Sequence, residues 1–161
     1  FSMLGLENNV IKEINLKTAE GELTTTIGGR IDRMDCVTCA DGKRRIRVID
    51  YKTGKKTNKN EGYILQSFIY SLLVDESPTL NPDRLEVSPA LLYIQNSAGE
   101  DFDPTVEYEK EKVTDVSKHR QAFTDKVHSM ISEIFDPAVP FACTDDDTAC
   151  THCPYCNLCG V

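Results

Sequence analysis

Residues 29–35 read Gly-Arg-Ile-Asp-Arg-Met-Asp and residues 48–54 read Val-Ile-Asp-Tyr-Lys-Thr-Gly. In the first, Asp32 sits in the apolar-flanked run Thr26 to Met34. The segment between them, residues 36–44, carries the turn residues Asp41 and Gly42, so the two runs read as the strands of a hairpin. Alternate side chains of a strand share a face, so Asp50 and Lys52 point one way while Ile49 and Tyr51 point the other. Whether Asp32 joins them depends on register. A two-residue Asp-Gly turn without a bulge sets Asp32 and Asp50 on opposite faces, whereas a bulge or an odd-numbered loop brings them together. We expect the second arrangement.

Two carboxylates on one face with a lysine beside them suit one particular chemistry. They can hold one or two Mg²⁺ ions against a phosphate, where the metal polarises the phosphoryl oxygens, lowers the pKa of a bound water and clamps the leaving oxygen. Lys52 would orient that water or offset charge in the transition state.

The rest of the chain supplies a scaffold. Residues 9–18 alternate around Val10, Ile14 and Leu16, and a turn at residues 19–22 leads into the strand bearing Asp32, which predicts a three-strand meander. Residues 61–75 place Ile64, Leu65, Phe68, Ile69, Leu72 and Leu73 at helical spacing. Gln66 and Tyr70, four apart, share a face of this helix. Pro78 and Pro82 mark a loop. A strand through Leu91 to Ile94 and another near Thr105 to Tyr108 follow, joined by residues 96–99. A long helix over 115–135 is expected to turn Val116, Phe123, Val127, Ile131 and Ile134 inward. This order, strands then helix then strands then helix, predicts an α/β fold class.

These residues resemble a known family. Gly29 to Arg33, Val48 to Lys55, then Gln66 and Tyr70 look like the PD-(D/E)XK nuclease superfamily, and within it the RecB-like branch that includes the AddB subunit of bacterial helicase-nucleases. The match spans roughly residues 10–160, and the combined spacing is more specific than any single motif. The resemblance implies a restriction-endonuclease-like core, a central mixed sheet flanked by helices, and a Mg²⁺- or Mn²⁺-dependent deoxyribonuclease. By position it makes Asp32 and Asp50 metal ligands, Lys52 the catalytic lysine and the backbone carbonyl of Tyr51 a further ligand. Gln66 and Tyr70 would support the site and the DNA strand, with Arg33, Lys55 and Lys56 beside them. The family normally begins with a helix before the first strand, and residues 1–9 are too short for it, so the chain reads as the C-terminal part of a larger protein.

A net charge of −8 runs against a nucleic-acid partner, because phosphate contacts are made by Lys and Arg. The average conceals a pattern, however. Eight of the eighteen basic residues lie between Lys43 and Lys59 against one acid, Asp50. Such a run next to the paired carboxylates would steer phosphate, although short charge runs are commonly just solvated surface.

The tail carries Cys150, Cys153, Cys156 and Cys159, with Cys143 a little upstream. Thiols spaced this closely favour a metal or cluster over pairwise disulfides in a cytosolic protein. Cys150-x2-Cys153-x5-Cys159 is similar to the C-terminal three cysteines of AddB-type iron-sulfur nucleases, which implies a [4Fe-4S] cluster pinning the tail to the core. There the fourth ligand comes from far upstream; here Cys156 or Cys143 would complete the set, or the site holds Zn²⁺. A metal-free tail is the bland alternative. Cys36 and Cys39 form another Cys-x2-Cys, read as a plain loop. His119 and His128 on the late helix and His152 in the tail are read as surface or tail residues.

The organisation expected is thus a nuclease core over 1–140 and a cysteine-rich tail over 141–161. No apolar run approaches the roughly 20 residues of a membrane helix, so a cytoplasmic protein without a membrane partner is expected. DNA is the expected partner, with a helicase subunit or fused helicase region by resemblance, since the chain lacks a Gly-x4-Gly-Lys-Ser/Thr loop. The competing functions are a non-catalytic DNA-binding or scaffolding module and an endonuclease built on the same site.

Overall fold

The computed structural model describes residues 1–18, 21–54, 61–97, 102–140, 142, 144, 147–151 and 153–159; for Thr18, Asn96, Asp147, Thr148 and Cys159 it describes the main chain alone. The alternation of Val10, Ile14 and Leu16 produces β1 (Ser2–Thr18), whose inward positions are these three buried side chains. It pairs antiparallel with β2 (Gly21–Thr38), which pairs antiparallel with β3 (Arg44–Lys52). The expected meander is therefore present, with longer strands.

The loop joining β2 to β3 decides the register. Thr38 lies opposite Arg44, leaving the five residues Cys39 to Lys43 in the turn. It is closed by hydrogen bonds of 2.9 Å from the Cys39 amide to the Lys43 carbonyl and from the Gly42 amide to the Cys39 carbonyl. Gly42 takes φ +77°, a conformation that other residues rarely adopt. The loop is odd-numbered, so even-numbered residues of β2 fall across from even-numbered residues of β3.

From β3 the chain crosses through α1 (Glu61–Glu76) to β4 (Glu86–Tyr93), which lies parallel to β3 and completes a mixed sheet of order β1-β2-β3-β4. As an interior strand β3 buries Ile46, Val48 and Ile49, apolar positions on both faces. The loop before β4 is stapled by the fully buried Asn81, whose side chain donates to the Leu85 carbonyl and accepts from its amide.

All six apolar residues of the expected stripe belong to the core or pack against it, but the most buried line of the helix also takes in Ser67, Tyr70, Ser71 and Val74. Ser67, Phe68, Tyr70, Ser71, Leu72 and Val74 are buried, while Ile64, Leu65, Ile69 and Leu73 are only partly so. Serines at 67 and 71 let the helix lie close to the sheet, and the Ser67 hydroxyl donates to the Ile64 carbonyl at 2.9 Å. Phe68 stacks on Phe123 at 4.9 Å between centroids and meets the rings of Tyr108 and His119 at 5.4 and 6.0 Å. Truncating Phe68 to alanine is expected to cost about 3–5 kcal/mol in urea unfolding. His119, expected at the surface, is instead an edge partner of this aromatic cluster.

Two expected elements come out differently. The strand near Thr105 to Tyr108 is reduced to a single bridge between Ala90 and Thr105 and a two-residue β5 (Glu107–Tyr108) paired with β6 (Glu111–Lys112). Glu109 and Lys110 take positive φ, which reverses the chain before a longer strand can form. The late helix begins as a 3₁₀ turn over Val116–His119 and continues as α2 (Arg120–Ile134). Val116 and Phe123 are buried and Val127 packs against the core, but Ile134 is 54% exposed rather than inward. Only the first turns of α2 lie over α1 and β1. Arg120 fixes that end by ion-pairing with Asp75 and Glu76, the latter also paired with Lys12 at 2.5 Å. Among the described residues no helix is long and apolar enough to cross a membrane.

Candidate active site

The sheet opens at Asp32. Main-chain pairing between β2 and β3 runs only as far as Arg33 opposite Ile49, and the β1–β2 pairing passes over Glu7 and Asp32, with Glu7 at φ +54°. In place of the next main-chain acceptor, Asp32 Oδ2 accepts the Tyr51 amide at 2.8 Å. One residue beyond the last pair, Asp32 falls across from Asp50, near enough for its charge to act on Asp50. The local cause is the five-residue loop together with the break in the ladder. The two carboxylates stand where β3 ends and the chain turns toward α1, at the carboxyl end of a strand of an α/β sheet, a usual place for a ligand.

From Asp50 a chain of contacts runs back to β2. Lys52 Nζ is 2.5 Å from Asp50 Oδ2 and donates to Gln66 Oε1 at 3.1 Å. Gln66 Nε2 donates to the Tyr70 hydroxyl at 3.2 Å, and that hydroxyl lies against Gly29, where a Cβ would meet it at 2.3 Å. The three segments singled out in the sequence thus touch one another. Gly29 is required by this close approach. Gly29→Ala is expected to push Tyr70 away, lower stability by about 1–3 kcal/mol and disturb Gln66, and Tyr70→Phe should return part of the loss, as read by urea unfolding of the two single variants and the double variant.

Tyr63 was not singled out in the sequence. Its ring lies 4.0 Å from Lys52 Nζ. The signal was nevertheless there, because 63, 66 and 70 recur at helical spacing on one face.

Asp50 is 7% exposed. Burial pushes its carboxyl above the ordinary range, the Lys52 ammonium pulls it back, and the Asp32 charge adds to the rise. Asp50 Oδ2 is buried and, among the described residues, has no hydrogen bond of ordinary geometry, facing only the ammonium as an ion pair. Two carboxylates with a buried oxygen lacking such a bond fit a hard divalent cation, which prefers oxygen ligands. Asp32 and Asp50 would hold it. No group of three His, Cys, Asp or Glu side chains converges among the described residues, so main-chain oxygens and water would complete the shell.

A family model for the PD-(D/E)XK nuclease superfamily matches residues 1–160. The chain belongs to this superfamily. Its members are generally nucleases and typically use Mg²⁺ or Mn²⁺. The four-stranded mixed sheet with its helices agrees with the superfamily's restriction-endonuclease-like fold. No curated protein and no solved structure matches the chain.

Within this superfamily fold several predicted residues stand apart from the carboxylates. Arg33 donates to Asp35 Oδ1 at 2.8 Å, reaches the Tyr51 hydroxyl at 3.4 Å and stacks over Phe1, on the face of β3 away from Asp50. The described part of the basic run is not one patch beside the site. Arg44 begins β3 and Lys52 ends it, roughly 26 Å apart at about 3.3 Å per residue. Lys43, Arg44 and Arg45 are paired with Glu86, Asp83 and, for Arg45, both Asp41 and Glu86. Counting along the run missed Asp83 and Glu86 because they come from a distant part of the chain, and Asp41 because it lies just before the run. Lys55, Lys56 and Lys59 lie outside the described residues.

The cysteines divide in the same way. Cys36 lines a cavity with Met34 and Ile46, whereas Cys39 contacts Arg45, whose side chain leaves the strand on the other face from Ile46. Cys36 lies in β2, paired with Ile46, and only Cys39 lies in the loop where both were expected. Cys150, Cys153 and Cys156 lie in successive turns linked by amide-to-carbonyl bonds of 3.1 and 3.2 Å. Cys143, His152 and the Cys159 side chain lie outside the described residues.

Proposed function

We propose that the chain is a Mg²⁺- or Mn²⁺-dependent deoxyribonuclease domain in which Asp32, Asp50 and the Tyr51 carbonyl hold the metal and Lys52 is the catalytic lysine. The observation that carries this reading is the placement of Asp32 across from the buried Asp50, with Lys52 paired to it. A bound divalent cation would supply Lewis-acid polarisation of the phosphate and a water of lowered pKa. Asp32 is held in place by the Tyr51 amide, so the two carboxylates enter with fixed geometry rather than at the entropic expense of ordering a loop. Lys52, steered by Gln66 and anchored through Tyr70, directs its ammonium to the space beside the carboxylates, where it can orient the attacking water or offset negative charge on the phosphate.

The finer reading places the chain in the RecB-like branch as an exonuclease of DNA repair working with a helicase. It rests on the order of the motifs and on the cysteine tail, where a [4Fe-4S] cluster, or failing that Zn²⁺, would pin residues 141–161 to the core. The alternative, a DNA-binding scaffold that kept the fold, is disfavoured by the retention of both carboxylates, one across from the other, and of a lysine paired to Asp50.

The test is release of acid-soluble nucleotides from linear and circular DNA, single- and double-stranded, with Mg²⁺, Mn²⁺ or chelator. Metal-dependent release from linear but not circular DNA supports the exonuclease, cutting of circles supports an endonuclease, and DNA binding without release in any metal supports the scaffold. Iron, sulfide and zinc analysis of protein purified without oxygen tests the tail.

A further inference from the structure

We infer that Tyr63 is a positioning residue for Lys52, holding the ammonium in the site by its ring face; the inference rests on the nuclease reading for its catalytic consequence but not for its geometry. Lys52 has three partners among the described residues: Asp50 Oδ2 at 2.5 Å, Gln66 Oε1 at 3.1 Å and the Tyr63 ring at 4.0 Å from its centroid. Only the first is anionic. It is also the buried oxygen with no ordinary hydrogen bond, the one best suited to a divalent cation. A divalent cation on that oxygen would compete with the ammonium for its charge, so in the working site Lys52 would have to keep its place with a weakened hold on its one charged partner among the described residues.

A lysine released from an ion pair has a flexible four-carbon stem and a strongly hydrated head, and gains rotamer freedom by swinging to solvent. What opposes this are a neutral amide oxygen and an aromatic face. An ammonium over a tyrosine ring is held by the ring quadrupole, and the attraction grows where water is excluded. The Lys52 side chain is 14% exposed, so the contact is largely dry. Tyr63 is itself 44% exposed, since one side of the ring covers Lys52 and the rest faces outward. It is seated two residues into α1, one turn before Gln66, so a single helix presents both non-ionic partners at fixed spacing.

The experiment compares the wild type with Tyr63→Phe and Tyr63→Leu. Two readouts are used: kcat and KM for DNA cleavage, and the proton resonances of the Lys52 ε-methylene, recorded with and without Mg²⁺. The phenyl ring keeps the quadrupole and leucine does not. The expected result is a kcat within about two-fold of wild type for Tyr63→Phe and about five- to thirty-fold lower for Tyr63→Leu, with KM unchanged. The ε-methylene signal should be shifted upfield by the ring in the wild type and in Tyr63→Phe, with or without Mg²⁺, and should return to its ordinary position in Tyr63→Leu. The inference is overturned by an unshifted signal in the wild type. It is also overturned by equal kcat in all three proteins, by Phe and Leu variants equally impaired, or by a loss confined to KM, which would make the ring a contact for DNA. If no protein cleaves DNA while the upfield shift is present, the positioning stands and the nuclease reading fails.

Discussion

Lys52→Ala is expected to lower kcat for DNA cleavage by about a hundred- to a thousand-fold while leaving metal affinity undiminished. Loss of activity follows from removing the only cation among the described residues seen in contact with Asp50. The second half of the prediction is the diagnostic one. In the metal-free protein the ammonium occupies the oxygen that the metal needs, so its removal frees Asp50 Oδ2 and Mg²⁺ should bind at least as tightly as to the wild type. A lysine whose role was only to hold the strand end would weaken metal binding and activity together. Calorimetric titration with Mg²⁺ beside single-turnover cleavage separates these outcomes. Cleavage at the wild-type rate would remove Lys52 from the mechanism.

Asp50→Asn is expected to abolish cleavage and, in the absence of metal, to make the protein more stable at neutral pH. The folded-state pKa of Asp50 is raised because burial outweighs the pull of Lys52, so the ionised carboxylate is less comfortable in the fold than in the unfolded chain. For a carboxyl raised in this way the destabilisation is absent below the unfolded value. It grows as pH rises through the ordinary carboxyl range and is complete above the folded value. The neutral amide avoids it, so the unfolding curves of variant and wild type should converge in acid and separate, with the variant higher, toward pH 7. Mg²⁺ should then reverse the order. A site that binds metal only when folded gains about 2.7 kcal/mol at a hundred times the dissociation constant, and Asp50→Asn should gain none of it. Thermal unfolding across pH with and without Mg²⁺ checks both signs. Equal destabilisation of the variant at every pH would mean that the Asp50 charge supports the fold. A site that weakens the apo protein in exchange for a ligand is an ordinary feature of function.

Much of this site was legible in the sequence, for reasons of strand parity. Asp50 and Lys52 share a face by alternation alone, and only one further quantity, whether the loop was odd, was needed to bring in Asp32. Asp41-Gly42 pointed to a turn, but its five-residue length depends on Cys39 and Lys43 hydrogen-bonding across it, which composition does not reveal. The break in pairing at Asp32 was hidden for a similar reason, since it depends on Glu7, twenty-five positions away. Gln66 and Tyr70 were visible as a helical pair, whereas their tie to Gly29 is a long-range contact. What sequence reading misplaced was governed by partners distant along the chain. Apolar periodicity gave no reason to bury Ser67 and Ser71, which close packing on the sheet favours. Lys43, Arg44 and Arg45 looked like part of a phosphate surface, but Asp83 and Glu86 lie beside them as ion-pair partners. Ile134 fits the period of a buried stripe and yet lies past the end of what α2 packs against.

The most direct measurement of the central claim, that one divalent cation is held between Asp32 and Asp50, is the broadening of backbone amide resonances by substoichiometric Mn²⁺. A paramagnetic ion in that position should erase the signals of residues 31–33 and 50–52 first, with Gln66 close behind, and Asp50→Asn should restore them. Broadening centred elsewhere on the chain, or unchanged by Asp50→Asn, would contradict the assignment of these carboxylates as the metal site.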